Sequence, residues 1–138
     1  MALTVLVVDD EAPIRLLCRV NLEAENGERG LELARRERPD AILLDVMMPG
    51  LDGWTVAERL LEDDATRRIP IIFLTARADI RDRARGLGAG GLDYITKPFN
   101  PVELAALVEE VVGAVERGER EELRAEKLSA LRDLLGTT

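Results

Sequence analysis

The chain has no histidine, one cysteine and only 3% aromatic residues in 138 positions. Without histidine there is no imidazole base and no imidazole ligand, which excludes the usual hydrolase triad and most zinc sites. The lone Cys18 has no partner for an internal disulfide. Set among Leu16, Leu17 and Val20, it reads as a small core residue rather than a reactive thiol. Cations are the minority charge: 19 Lys and Arg stand against 27 Asp and Glu, a net charge of −8. Direct binding to nucleic acid needs clustered cations to meet phosphates, so no direct nucleic-acid partner is expected. There is no basic signal-peptide start and no apolar run of membrane length. The expected location is the cytoplasm, with no membrane partner.

What is present suits one domain around one core: 46% hydrophobic and 33% charged residues. Short apolar runs alternate with amphipathic stretches. Leu3 to Val8 is a continuous run ending in Asp9-Asp10-Glu11, and reads as a strand buried on both faces. Pro13 opens a helix carrying Ile14, Leu16, Leu17, Val20 and Leu22, expected to run to about Ala24. A second helix spans Glu28 to Arg38 and is broken by Pro39. Ala41 to Leu44 is a strand ending in Asp45, followed by the turn-rich Pro49-Gly50-Leu51-Asp52-Gly53 and a helix from Trp54 to Glu62. Ile69 to Leu74 is a strand ending in Thr75, and Ile80 to Leu87 a short helix. Leu92 to Thr96 is a last strand ending in Lys97-Pro98. Asn100, Pro101 and Glu103 mark a helix start. The alternation implies a parallel sheet covered by helices, in which ligands bind beyond the carboxyl ends of the strands. Asp9, Asp10, Asp45, Thr75 and Lys97 all fall at such ends.

Carboxylates gathered there repel one another, and a site that keeps them ionised needs a cation. An all-oxygen ligand set favours a hard ion such as Mg²⁺. Asp10 and Asp45 are the expected direct ligands, with Asp9 acting through water. One carboxylate can also attack phosphorus to give an acyl phosphate, and phosphoryl transfer then needs mainly positioning and neutralisation of the equatorial oxygens. Lys97 offers a point charge and Thr75 a hydroxyl. Alone, an Asp-Asp pair is as readily a helix cap, Thr75 a strand-end hydroxyl and Lys97 a surface charge. Their joint placement at four strand ends favours the site.

Val7-Val8-Asp9-Asp10-Glu11, Leu43-Leu44-Asp45 with Pro49 to Gly53, Leu74-Thr75-Ala76 and Tyr94 to Phe99 together resemble the response-regulator receiver family of two-component signalling. The resemblance covers about residues 3 to 117, and the four motifs stand in family order. It implies an α/β flavodoxin-like (CheY-like), doubly wound fold. It implies that Asp45 accepts phosphate from a phosphohistidine on a sensor histidine kinase or phosphotransfer protein. It further implies Mg²⁺ held by Asp10, Asp45 and the Met47 carbonyl, with Asp9 through water, Lys97 on the phosphoryl group and a cis Lys97–Pro98 peptide. In the implied switch, Thr75 turns toward the phosphoryl group and Tyr94 follows, changing the surface around the 80–87 helix and the strand and helix after it. Met47, two residues after Asp45, would shield the acyl phosphate from water. Two rivals are weaker. A haloacid-dehalogenase-like phosphatase carries its nucleophile and general acid two residues apart on one loop, which this chain does not. A degenerate receiver serving as a constitutive binding module would have lost active-site residues that are all present here. The expected protein is thus a phosphoacceptor with self-phosphorylation and autodephosphorylation, not a turnover enzyme.

Two features depart from the family. Only Glu25-Asn26-Gly27 separate the first two expected helices, so the second, edge strand is expected to be missing. The competing explanations are a stretch absent from the sequence, a deletion, or a four-stranded core that dimerises through the exposed first strand. At the other end, residues 1–117 are read as the receiver and 118–138 as a helical extension. Its Leu123, Leu128, Leu131, Leu134 and Leu135 either pack on the receiver, fray in solvent, or serve an interaction helix that pairs in a homodimer. About 20 residues are too few for a DNA-binding domain, so output is expected through an unknown downstream protein.

Overall fold

The structure is a computed structural model, and it describes residues 3–18, 21–75 and 90–136. The expected 80–87 helix lies outside the described residues, as do the side chains of Leu16, Leu17, Cys18 and Val20. Strands β1 (Val5–Val8), β2 (Leu22–Ala24), β3 (Ala41–Asp45), β4 (Ile71–Thr75) and β5 (Asp93–Thr96) alternate with helices α1 (Ala12–Cys18), α2 (Gly27–Glu37) and α3 (Gly53–Glu62), and α4 (Pro101–Glu116) and α5 (Arg120–Gly136) follow β5. The sheet is parallel throughout, in the order β2-β1-β3-β4-β5.

Its central strands are apolar up to the polar residue that ends β3 and β4, because both faces are covered. Val5, Val7, Leu43, Ile72 and Leu74 face one core with α4 residues Leu104, Val108 and Val111. Leu6, Val8, Ile42, Leu44 and Phe73 face the other, against Leu33 and Ala34 of α2 and Val56, Ala57 and Leu60 of α3. Helix starts follow side-chain capping: Asn26, Asp52 and Asn100 accept from the N–H groups of Arg29, Thr55 and Val102. No helix among the described residues is long and apolar enough to cross a membrane.

The expectation of a missing edge strand is overturned. Leu22, Glu23 and Ala24 pair in parallel with Leu6, Val7 and Val8. The ladder is lengthened at one end by Asp9 N–H donating to the Ala24 carbonyl (3.0 Å), and at the other by Val5 N–H donating to Asn21 Oδ1 (3.0 Å). α1 is correspondingly short and does not reach Ala24. Leu, Glu and Ala are good helix formers, and pairing with β1 overrides that preference. No missing stretch is needed at Glu25–Asn26, since Ala24 closes the ladder and Asn26 already caps α2. Nor is β1 an open edge for a second copy.

Beyond α4 the chain reverses at Gly118, whose φ of 74° is a conformation glycine adopts without strain. Glu119 N–H then donates to the Ala114 carbonyl (2.8 Å) and α5 packs back against α4.

Candidate functional site at the strand ends

Parallel strands bring their carboxyl ends to one side, and the residues that follow the apolar runs meet there. Asp9 follows β1, Asp45 ends β3, Thr75 ends β4 and Lys97 follows β5. One carboxylate oxygen from each of Asp9, Asp10, Glu11 and Asp45 falls in a group no more than 4.8 Å across. Asp9 and Asp45 are buried, and Asp10 and Glu11 are exposed. Lys97 Nζ lies 2.7 Å from Asp9 Oδ2, 3.4 Å from Asp45 Oδ1 and 3.4 Å from Glu11 Oε1.

Each acid is held by its backbone surroundings. Asp9 Oδ1 accepts the Glu11 N–H at 2.9 Å, and the Asp9 carbonyl accepts Arg15 Nη1 at 2.7 Å. Asp45 Oδ1 accepts the Met47 N–H at 3.3 Å, and Val46 N–H donates to the Leu74 carbonyl. Asp45 Oδ2 is buried and accepts no hydrogen bond among the described residues. Behind it, Gly53 packs against the Asp45 carbonyl so closely that a Cβ would overlap it. The α3 start can approach the acid only because residue 53 has no side chain.

Burial pushes the Asp45 carboxyl up to about 7, helped by the neighbouring Asp9 charge and opposed by Lys97 and the Met47 N–H. Burial alone would lower Lys97, but the hydrogen bond to Asp9 and the charges of Asp45, Asp9 and Glu11 outweigh it and hold the ammonium above its ordinary value. A buried acid that resists ionisation, with an unpartnered oxygen among other carboxylates, fits a hard divalent cation: every donor is oxygen, and the cation would relieve the repulsion.

The structure therefore brings Asp9, Asp10, Asp45 and Lys97 together. Thr75 is buried at the neighbouring strand end, and its carbonyl accepts the Lys97 N–H at 2.7 Å. Met47 contributes its N–H, while its side chain is 63% exposed. Tyr94 is half-buried in β5, beside Phe73 in register and packed with the α2–α3 core. The Lys97–Pro98 peptide is cis. Two further participants have no role assigned by sequence alone. Glu11 is visible as the third acid of its run. Arg15, which joins the Asp9 carbonyl to Glu23 of β2 (3.3 Å), has no signal, because its partners meet only through the fold.

Comparison with known proteins agrees with this geometry. Residues 5–109 match the family model described as the response regulator receiver domain. The chain is 44% identical over 126 residues to the phosphate regulon transcriptional regulatory protein PhoB of Pseudomonas aeruginosa, covering 86% of this chain and 55% of that protein. It is 46% identical over 117 residues to the response regulator PleD of Caulobacter vibrioides, covering 78% of this chain and 26% of that one. The chain thus spans about half, or less, of these curated relatives. Among solved structures, a response regulator from Chloroflexus aurantiacus superposes with a TM-score of 0.75 at 35% identity, over 82% of this chain and 99% of that one. The receiver domain of the sensor histidine kinase PA1611 from Pseudomonas aeruginosa, with a magnesium ion in its active-site cleft, has a TM-score of 0.72 at 33% identity, over 82% and 99% of the two chains. With the sheet order, the strand-end acids and these matches in agreement, the chain belongs to the response regulator receiver domain family.

Proposed function

We propose that this receiver accepts a phosphoryl group on Asp45 from the phosphohistidine of a sensor histidine kinase or phosphotransfer protein, and that the modification switches a protein-interaction surface. The observation that carries the reading is the buried Asp45 carboxylate, its Oδ2 without a hydrogen bond among the described residues, beside Lys97 and the Asp9–Asp10–Glu11 acids. An Asp45 oxygen forms a bond to phosphorus as the donor's N–P bond breaks. The electron pair returns to the imidazole nitrogen, which takes up a proton. Asp10, Asp45 and the Met47 carbonyl would hold Mg²⁺, with Asp9 through water; when bound, the ion neutralises the acids and the equatorial phosphoryl oxygens. Lys97 supplies the remaining positive charge.

Thr75 then donates its hydroxyl to a phosphoryl oxygen, and Tyr94 moves into the space released. The result is a shift between two packings biased by a local charge. Hydrolysis of the acyl phosphate resets the site, so the chain is a phosphoacceptor in the cytoplasm rather than a turnover enzyme. The net charge of −8 supports output through a downstream protein or a second copy rather than nucleic-acid contact by this segment.

The test is incubation with acetyl phosphate and Mg²⁺, read by intact mass and size exclusion beside Asp45→Ala. One added phosphoryl group on the wild type and none on the variant is expected, with a Mg²⁺-dependent change in Trp54 fluorescence. A wild-type chain that never gains the group would make it a constitutive binding module instead.

A further inference from the structure

The polar groups of Asp9 each meet a different part of the fold. Its N–H donates to the Ala24 carbonyl of β2 at 3.0 Å, and its carbonyl accepts Arg15 Nη1 of α1 at 2.7 Å. In its carboxylate, Oδ1 accepts the Glu11 N–H at 2.9 Å and Oδ2 lies 2.7 Å from Lys97 Nζ. Asp9 is fully buried, so without Arg15 its carbonyl would be left as a buried acceptor in need of another donor. The Arg15 side chain is itself only 18% exposed, and its Nε lies 3.3 Å from Glu23 Oε1. Glu23 is bonded to Ala24. These contacts close a ring that runs from Asp9 through Ala24 and Glu23 to Arg15 and back to Asp9.

The ring acts on more than Asp9. A carbonyl belongs to the planar peptide that joins its residue to the next, so Arg15 fixes the tilt of the Asp9–Asp10 peptide. Asp10 is exposed, and that peptide, rather than packing, sets where its carboxylate starts. The guanidinium suits the task because its planar fork reaches two acceptors in two directions, whereas a lysine ammonium is a point charge on one stem. The Glu23 side chain is 56% exposed, so the ion pair contributes little as a salt bridge. Its effect is to hold the guanidinium in place for the carbonyl.

We propose that Arg15 is a positioning residue for the divalent-cation site: with Glu23 as its counter-ion, it fixes the backbone that carries Asp9 and Asp10, and thereby raises the affinity of the acids for Mg²⁺. The inference rests on the Mg²⁺ site proposed above and not on phosphoryl transfer to Asp45. Its sign separates it from plain electrostatics. A fixed positive charge beside a cation site repels the ion, so by charge alone the loss of Arg15 would tighten Mg²⁺ binding. By position, the loss of Arg15 weakens it.

The test is Mg²⁺ titration of the full-length, unphosphorylated chain, read by calorimetry and by Trp54 fluorescence. Arg15→Gln should bind Mg²⁺ roughly tenfold more weakly than wild type, the low end of the effect of removing a group that orients a metal ligand. Arg15→Lys keeps the charge and one donor, and should fall between, about threefold weaker than wild type. It is the variant to read should Arg15→Gln prove unfolded by circular dichroism. Adding Glu23→Gln to Arg15→Gln should weaken binding no further, because Glu23 acts through Arg15. Asn21→Ala removes the acceptor for the Val5 N–H at the far end of the same β1–β2 ladder. It should lower the melting temperature and leave Mg²⁺ affinity within about twofold of wild type. Unchanged or tighter Mg²⁺ binding by the folded Arg15 variants, or an equal loss in Asn21→Ala, would overturn the proposal. Wild type that binds no Mg²⁺ would overturn it together with the cation site. Wild type that binds Mg²⁺, loses affinity without Arg15 and never gains a phosphoryl group would support it and sink the reading at Asp45 alone.

Discussion

The ammonium of Lys97 stands closer to Asp9 than to Asp45, at 2.7 Å from Asp9 Oδ2 and 3.4 Å from Asp45 Oδ1. In the unmodified receiver its charge is therefore shared among acids, and a phosphoryl group on Asp45 would compete for it. Lys97→Ala should slow labelling of Asp45 by acetyl phosphate roughly 100-fold, the usual scale for losing one aimed donor in phosphoryl or acyl transfer. The measurement is a mass time course at saturating Mg²⁺. An unchanged rate would remove Lys97 from the chemistry.

Asp45 gives the stability a pH dependence of definite sign. Its carboxyl is raised from 3.8 to about 7 in the folded chain, chiefly by burial. Between those values the folded state holds a proton that the unfolded state has lost, so stability falls as pH rises through that window and stays low above it. Asp45→Asn cannot ionise and should match wild type near pH 4. At pH 8 in chelator it should exceed wild type by on the order of 2–4 kcal/mol, because each tenfold change in proton affinity is worth about 1.4 kcal/mol. Thermal melts at the two pH values check this. Mg²⁺ should stabilise wild type at pH 8 and leave Asp45→Asn nearly unmoved.

Gly53 is a second sensitive point. A Cβ there would overlap the Asp45 carbonyl and come within 2.8 Å of Val46 Cα, both backbone atoms that cannot swing aside. Alanine would gain at most about 1 kcal/mol in helix preference, against roughly 1–3 kcal/mol or more for overpacking. Gly53→Ala should therefore be destabilised in urea unfolding and slower to accept phosphate. A variant as stable as wild type would show that α3 yields.

Met47 donates its N–H to Asp45 Oδ1, and its side chain is 63% exposed. In the proposed acyl phosphate an apolar side chain two residues after Asp45 would restrict water, whereas an amide could hold a water in line for attack. Met47→Asn should shorten the phosphoryl lifetime several-fold with little change in stability. The decay of labelled protein after removal of the donor measures it, and an unchanged lifetime would rule out shielding.

Four of the five strands, and the gathering of Asp9, Asp10, Asp45 and Lys97 at their ends, could be read from the residues alone. A parallel strand covered on both faces must be apolar throughout, so Val5–Val8, Ala41–Leu44 and Ile71–Leu74 are marked by composition, and the first polar residue after each run lands at the site. Asn100 marked the start of α4 for an equally local reason, the side-chain cap its first turn needs. Leu22-Glu23-Ala24 carries no such mark. Its residues favour a helix, and only β1, arriving from elsewhere in the chain, makes it a strand. The same holds for Arg15 reaching from α1 to the Asp9 carbonyl and Glu23, and for Lys127 meeting Asp93. The leucine spacing of α5 was visible, but spacing names a face without saying what it touches. Local composition and caps determine elements because their interactions span a few residues. Edge pairing, shared ion pairs and the docking of α5 depend on groups far apart in sequence, and those were decided only when the sheet brought them together.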